Sequence, residues 1–366
     1  MKMKKSSSYI LIFVLLVLSF LSFVVSKLTQ QTNVYLFFTK TVYLQENAKL
    51  LALSGITMAR AELGEAYLPI NEKNEQEQQN KDSKEQKQAK NLLKKILPVL
   101  NRWQIFKLTE KEDGVDGEIK VCIFSEDGKI NLNKWFDFQK KEFKPDMANI
   151  IKLMTVGSNI KGEKILKDLT DFFKRKNKPI EDLSELLEID SLKSINLMYS
   201  PLQRVEKTAS GKEDSTIYLQ DFFTVYSESE KVEPWLFSHS LDVLFGVRLP
   251  KPNDASVMKE NFVKAIDKFK LDLGSNWDVN WGALIPIYEK KPAAFQVLGK
   301  LLSQQFAPSV YTVISCGKIG NVEQKLLAVL VKQNPKTSST NKGSGSHKEE
   351  QENLAQYFKV IKVIWL

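Results

Sequence analysis

The 366-residue chain is poor in the residues that bind metals and build reactive sites: two cysteines, Cys122 and Cys316, and two histidines, His239 and His347. It has no CxxC, no HExxH and no EF-hand spacing, so structural zinc, zinc hydrolases and calcium sensors lose their usual signatures. No Ser/His/Asp order, nucleophile elbow or phosphate loop stands out either. Carboxylates such as Glu181, Asp182 and Glu185 read as a solvated helix face, and neither an enzyme nor a small-molecule substrate is expected. The net charge is +9, but acids are interspersed among the bases. Without a Lys/Arg block interleaved with aromatics, a nucleic-acid partner is not expected. Proline is missing from Leu28 to Leu68, so nothing in that stretch forces a helix to break. The 43% hydrophobic and 27% charged residues are those of a folded protein, long enough for an anchor and two domains.

What is present begins at the N-terminus. Tyr9–Val25 reads YILIFVLLVLSFLSFVV, behind Lys2, Lys4 and Lys5. As a helix it spans roughly 25 Å, close to the hydrocarbon core of a bilayer. The lysines keep the short N-terminus cytoplasmic and send the bulk of the chain across. The run exceeds a signal peptide's apolar region, and Val24 and Ser26 make a poor cleavage site. Beyond it Ala48, Leu51, Ala52, Gly55, Ile56, Ala59, Leu63 and Ala66 recur at spacings of three and four, one apolar stripe of a helix that Pro69 ends. Anchor and stripe predict one rod of about 60 residues, roughly 90 Å long, with its second half on a globular head.

Asn71–Lys90 is a solvated connection, and a short helix follows at Asn91–Asn101. WQIFKL (Trp103–Leu108) and Glu118–Phe124 pattern as a hairpin across EKEDGVDG, and Ser125–Asn133 as a turn and short strand. Helical stripes then run through Met147–Val156, Glu163–Lys174, Ile180–Ile189, a stretch opened by Pro234, Asp254–Lys270 and Pro292–Phe306, with Arg204–Ser215 as a loop. Period two returns at Val310–Cys316, Leu326–Lys332 and Tyr357–Trp365, with Gly317–Asn321 a tight connection and Asn334–Gln351 a long loop. The fold class is therefore α+β: a long N-terminal helix on an antiparallel sheet interrupted by a large all-helical insertion. The divisions are 1–30 for leader and anchor, 31–136 for the amphipathic helix and first strands (71–90 flexible), 137–306 for the insertion, and 307–366 for the closing strands (334–351 flexible). Cys122 and Cys316 both lie in strands; an exported compartment permits a disulfide, and two buried thiols is the other reading.

Five segments in this order resemble one family, the K-type minor pseudopilins of type II secretion systems. They are AKLLALSGITMARAEL (Ala48–Leu63), EDGKINLN (Glu126–Asn133), PIEDLSELLEI (Pro179–Ile189), DFFTVYSESEKVEPWLFSHSLDVLFGV (Asp221–Val247), and YTVISCGKIGNVEQKLLAVLVK together with the terminal VIW. The acidic-Gly turn carrying Asp127, Gly128, Ile130, Asn131 and Asn133 is the most recognisable. Where the family has INPN, this chain has Val232, Glu233, Pro234 and Trp235. Where a leader peptidase normally cuts after glycine, it has Ser6, Ser7 and Ser8. Cleavage between Ser8 and Tyr9 would put Phe13 at the fifth mature position, where K-type members lack the usual glutamate.

The resemblance implies a non-enzymatic pilin-like subunit at the tip of a periplasmic pseudopilus, assembled with other minor pseudopilins. It implies an inner-membrane protein crossing once, with its C-terminal domain periplasmic, and a partner-helix interface at Ala48, Leu51, Ala52, Gly55, Ile56 and Ala59. No cofactor follows from the residues themselves; calcium is associated with the family's head, without ligands that map here. Asp127, Asn131 and Asn133 offer oxygens, but a structural turn is the simpler reading. The other readings are a minor pilin or tip subunit of a type IV pilus-like system, and an unrelated anchored periplasmic protein.

Overall fold

The computed structural model describes residues 6–68, 84–155, 161–194, 202–208, 211–233, 236–238, 240–241, 301–303, 307–333 and 357–366. The expected lysine leader, Pro69, most of the 234–245 and 292–306 helices, the helix at 254–270, both histidines and the 334–351 loop lie outside these residues, and Leu302, inside the expected 292–306 helix, instead bridges Val232. A single unbroken helix, α1 (Ser6–Tyr67), carries both the apolar run and the stripe. It ends where Leu68 N–H donates to Glu65 O, one residue before Pro69, whose ring disfavours helical geometry at Leu68. α2 (Lys84–Ile96) starts inside the tract expected to be flexible and buries Leu93 and Ile96. β1 (Trp103–Leu108), a single turn α3 (Glu110–Asp113) closed by Gly114 at φ 73°, and β2 (Gly117–Ser125) form the expected hairpin.

The insertion follows. It contains β3 (Ile130–Asn131), α4 (Leu132–Trp135), β4 (Phe136–Asp137), β5 (Glu142–Phe143), α5 (Pro145–Thr155), α6 (Gly162–Lys176) and a 3₁₀ turn at Leu183–Glu188. α7 (Asp190–Ser194), β6 (Leu202–Thr208), β7 (Gly211–Ile217), α8 (Leu219–Phe222) and β8 (Phe223–Thr224) complete its described part. It is thus not wholly helical. Arg204–Ser215, expected as a loop, is the β6–β7 hairpin with Thr208 opposite Gly211. LQRVEKT and GKEDSTI carry too few apolar residues to show an alternation. Phe136, Phe143 and Phe173 centre the insertion's core, with ring centroids 5.0–5.4 Å apart.

The closing strands are β9 (Val310–Ile319), β10 (Val322–Lys332) and β11 (Phe358–Trp365). β9 runs on through Gly317 to Ile319, so the turn is Gly320–Asn321 rather than the whole of Gly317–Asn321. The sheet order is β1-β2-β9-β10-β11, antiparallel throughout. β2 and β9, the strands before and after the insertion, are hydrogen-bonded neighbours, with Ser125 opposite Tyr311. One sheet therefore holds the strands from both sides of the insertion, which leaves and returns at one place.

α1 lies across the sheet over β2, β9 and β10. Ala48, Ala52, Ile56, Ala59 and Leu63 are buried against Ile119, Val121, Val313, Leu326 and Ala328. Two glycines set the closeness of this seam. A Cβ on Gly317 would fall 2.1 Å from the Ala48 carbonyl oxygen, and one on Gly55 would fall 2.1 Å from Ser315 Oγ. Cys122 and Cys316 are buried free thiols on the opposite sheet face. Cys122 pairs with Ile314 and Cys316 with Lys120, which makes the cysteines diagonal neighbours. Such diagonals lie about 7–8 Å apart, too far for a disulfide without backbone movement.

Candidate assembly surface and the joint of the insertion

The residues expected to meet partner helices are already engaged within the head. Ala48, Ala52, Gly55, Ile56 and Ala59 are buried, and Leu51 packs beside Gly117 and Gly317. The small side chains bring α1 onto its own sheet, as expected for this half of the rod, and of the six residues expected at a partner-helix interface only Leu51 keeps partial exposure. α1 is also pinned on both flanks. Arg60 Nε donates to Phe358 O on β11 at 3.0 Å, and Gln104 Nε2 on β1 donates to both Glu62 carboxylate oxygens at 2.8 and 3.0 Å. Burial raises the Glu62 carboxyl above its ordinary pKa, against the Gln104 bond. What α1 leaves uncovered is Val34–Phe38 with Val42 and Tyr43, and higher up Leu50 and Leu53.

The acidic-Gly turn does structural work at the point where the insertion meets the sheet. Asp127 Oδ2 accepts from the N–H groups of Ser309 and Val310, at 2.6 and 2.9 Å, and Oδ1 from Ser227 Oγ at 2.7 Å. Gly128 sits under the insertion's backbone: a Cβ there would fall 1.6 Å from Leu236 O. Ile130 pairs with Phe223. Asn131 Oδ1 caps α4 through Asn133 N–H and Lys134 N–H, while its amide donates to Ser227 O. Asn133 makes a two-way bond with the Ile180 backbone, 2.9 Å in each direction. These oxygens are spent on backbone N–H groups and the Ser227 hydroxyl, so the turn does not fit a calcium ion. Among the described residues no cluster of three or more His, Cys, Asp or Glu could hold a metal.

Two further acids meet Asp127 here, and the sequence assigned a role to neither. Glu126 accepts from Lys129 Nζ and Thr312 Oγ1, each at 2.7 Å. Burial opposes its charge, yet Lys129 and the hydroxyls of Thr224 and Thr312 hold its pKa below the ordinary value. Glu233 Oε1 accepts from Ala307 N–H at 3.2 Å, and Glu233 N–H donates to Asp127 O at 2.8 Å. Burial, with Asp127 adding, pushes the Glu233 carboxyl up to about 8 against the pull of the Ala307 N–H. Burial also raises Asp127, opposed by the three donors it accepts from. Beside them Tyr67, at the end of α1, donates to Pro308 O and lies 2.9 Å from the Tyr311 hydroxyl. Three acidic side chains from two points of the chain, Glu126–Asp127 and Glu233, thus grip residues 307–312, where it re-joins the sheet. The available signal was Glu233 standing in the family's asparagine segment.

A second tie reaches the edge strand. Lys362 on β11 pairs with Asp182, and both bond the Tyr226 hydroxyl, at 3.0 and 3.1 Å. Burial opposes the charge of Asp182, but Lys362 and the Ser184 N–H bring its pKa down to about 2. Asp182 and Glu185, expected on a solvated face, instead form a capping box, and Glu185 also pairs with Lys176. Ser8 and Tyr9, the candidate processing point, lie in the first turns of α1, with Tyr9 exposed.

The class this architecture defines is a helix-on-sheet head carried on one helix long and apolar enough to cross a membrane. The chain is similar over 92% of its length, and 99% of the other's, to a chain in the crystal structure of the GspK-GspI-GspJ complex from the enterotoxigenic Escherichia coli type 2 secretion system, at 12% identity and a TM-score of 0.40. No family model matches the chain, and no curated protein matches it.

Proposed function

We propose that the protein is a minor pseudopilin of the K type, a non-enzymatic subunit at the tip of a periplasmic pseudopilus that assembles with other minor pseudopilins in type II secretion. One observation carries the reading: α1 passes without a break from a membrane-length apolar run into the seam of the sheet. A rigid connection of this kind transmits axial displacement from membrane to head, which suits a part that is assembled and pushed. The five segments that resemble the family support the same reading. The insertion, hung from one end of the sheet, is bulk that a filament accommodates at its end more easily than along its shaft. The protein then resides in the bacterial inner membrane, crossing once, with its head periplasmic. The test is purification of the full chain from detergent-solubilised native membranes, followed by identification of its companions. Recovery with other pseudopilins, and loss of protein export on deletion of the gene, are expected. A monomeric chain with export intact would overturn the proposal.

A further inference from the structure

Cys122 and Cys316 are the chain's two thiols, and both are buried, at 2% and 3% exposure. They stand on β2 and β9, the strands that flank the insertion, two residues apart in register. They are near enough to feel each other, since a charge on Cys316 opposes one on Cys122. The spacing that is wrong for a disulfide suits a longer bridge. A disulfide needs Cβ atoms about 3.8 Å apart, whereas those of a diagonal pair stand somewhat under about 7–8 Å apart. Two metal–sulfur bonds of about 2.3 Å, laid end to end, hold the sulfurs about 4.6 Å apart and span that diagonal.

The surroundings select the ion. Among the described residues no third His, Cys, Asp or Glu joins the pair in a metal-holding group, so an ion that demands four or more ligands finds too few. Soft monovalent ions such as copper(I) and silver(I) accept two thiolates in a line. On binding, each sulfur gives its proton to water and forms one bond to the ion, which leaves one negative charge. Lys120 and Lys325 stand directly opposite Cys316 on the strands either side of it. With Lys107 and Lys318 they outnumber Glu118 and Glu323, the acids on the same face, so the surround is net positive. Cys122 lies between Trp103 and Ile314, an apolar flank that keeps water from the bond.

We propose that Cys122 and Cys316 form a two-coordinate site for a soft monovalent metal ion, with Lys120 and Lys325 offsetting its charge. Bound there, the ion staples β2 to β9, the strands from which the insertion leaves and to which it returns. The staple shares no residue with the carboxylate joint and is independent of the assembly proposed above. In the test, copper(I) in anaerobic buffer is titrated into the detergent-solubilised full chain against a chromogenic copper(I) chelator. X-ray absorption is then read on the loaded protein. One ion per chain with two sulfur neighbours and no nitrogen or oxygen, and a raised thermal midpoint, are expected. Cys122→Ser and Cys316→Ser should each abolish this binding. Lys120→Gln, at the surface and sparing both thiols, should weaken it about tenfold. The wild-type spectrum and the Lys120→Gln affinity stand even if serine at a buried position unfolds the head. A single sulfur neighbour, uptake that survives loss of either cysteine, unchanged affinity in Lys120→Gln, or a Cys122–Cys316 disulfide formed in the folded chain under mild oxidant would overturn the proposal.

Discussion

The head is held together at two places made from opposite materials. The seam between α1 and the sheet is alanine, glycine and branched apolar side chains, closed so tightly that Gly55 and Gly317 have no room for a methyl group. The joint between sheet and insertion is three buried carboxylates aimed mostly at backbone N–H groups and hydroxyls, with one cation, Lys129, paired to Glu126. The seam depends on shape and area, so apart from the Glu62 flank it responds little to pH, and it is costly to overfill. The joint depends on protonation and hydrogen-bond geometry, so it is sensitive to pH and to a lost partner, and at Gly128 to volume as well. A subunit that must keep its rod fixed while presenting a separate domain gains from having the two fail under different conditions.

The contrast is open to attack from either side, here by urea unfolding of the head freed of its anchor. Gly317→Val drives carbon into the Ala48 carbonyl and should cost more than about 3 kcal/mol, enough to cost the head its cooperative fold. A Gly317→Val head with wild-type unfolding would mean that the seam is not closed. Asp127→Ala leaves the Ser309 and Val310 N–H groups buried without their acceptor and should cost about 3 kcal/mol. The loss should appear first as protease cleavage in the insertion while the sheet stays protected.

Glu233 supplies the pH arm. Its folded pKa, about 8, lies above the ordinary 4.5, so the folded state holds the proton more tightly. Its stabilising contribution is full below about pH 4.5 and lost as pH rises towards 8, on the order of 3 kcal/mol by pH 7. Glu233→Gln should flatten that slope and exceed the wild type at pH 8; parallel curves would remove the joint's dependence on this group. Asp182 runs the other way, its contribution present above the ordinary 3.8 and lost as pH falls towards 2. Lys362→Ala, which removes its partner at the partly exposed edge, should cost only about 1 kcal/mol. Smallest of all, Lys49→Ala breaks an exposed pair with Glu46 and should change stability by less than about 0.5 kcal/mol.

Much of the framework was readable before any coordinates. The three-and-four spacing from Ala48 to Ala66 and the missing prolines gave α1 its length, and period-two runs placed β1, β2 and β11 nearly to the residue, while β10 begins four residues before the expected Leu326. The small-residue stripe was read both as the face that packs on the head, where it lies, and as a partner-helix interface, for which its burial leaves little surface; a helix packs closely on a sheet or on another helix with the same sequence pattern. The β6–β7 hairpin was hidden because its residues carry no apolar alternation. The joint was half visible: Asp127 stood in a conspicuous turn, whereas Glu233 and Ala307 join it only through the chain's return to the sheet, which no local pattern encodes.

The adjacency of β2 and β9 has a consequence for how such a molecule could have arisen. Two neighbouring antiparallel strands are what a short hairpin turn would connect, so the platform is topologically complete without the domain between them. A lineage could therefore lengthen, shrink or exchange that domain by events confined to one loop, leaving the anchored part unchanged while the business end diversified.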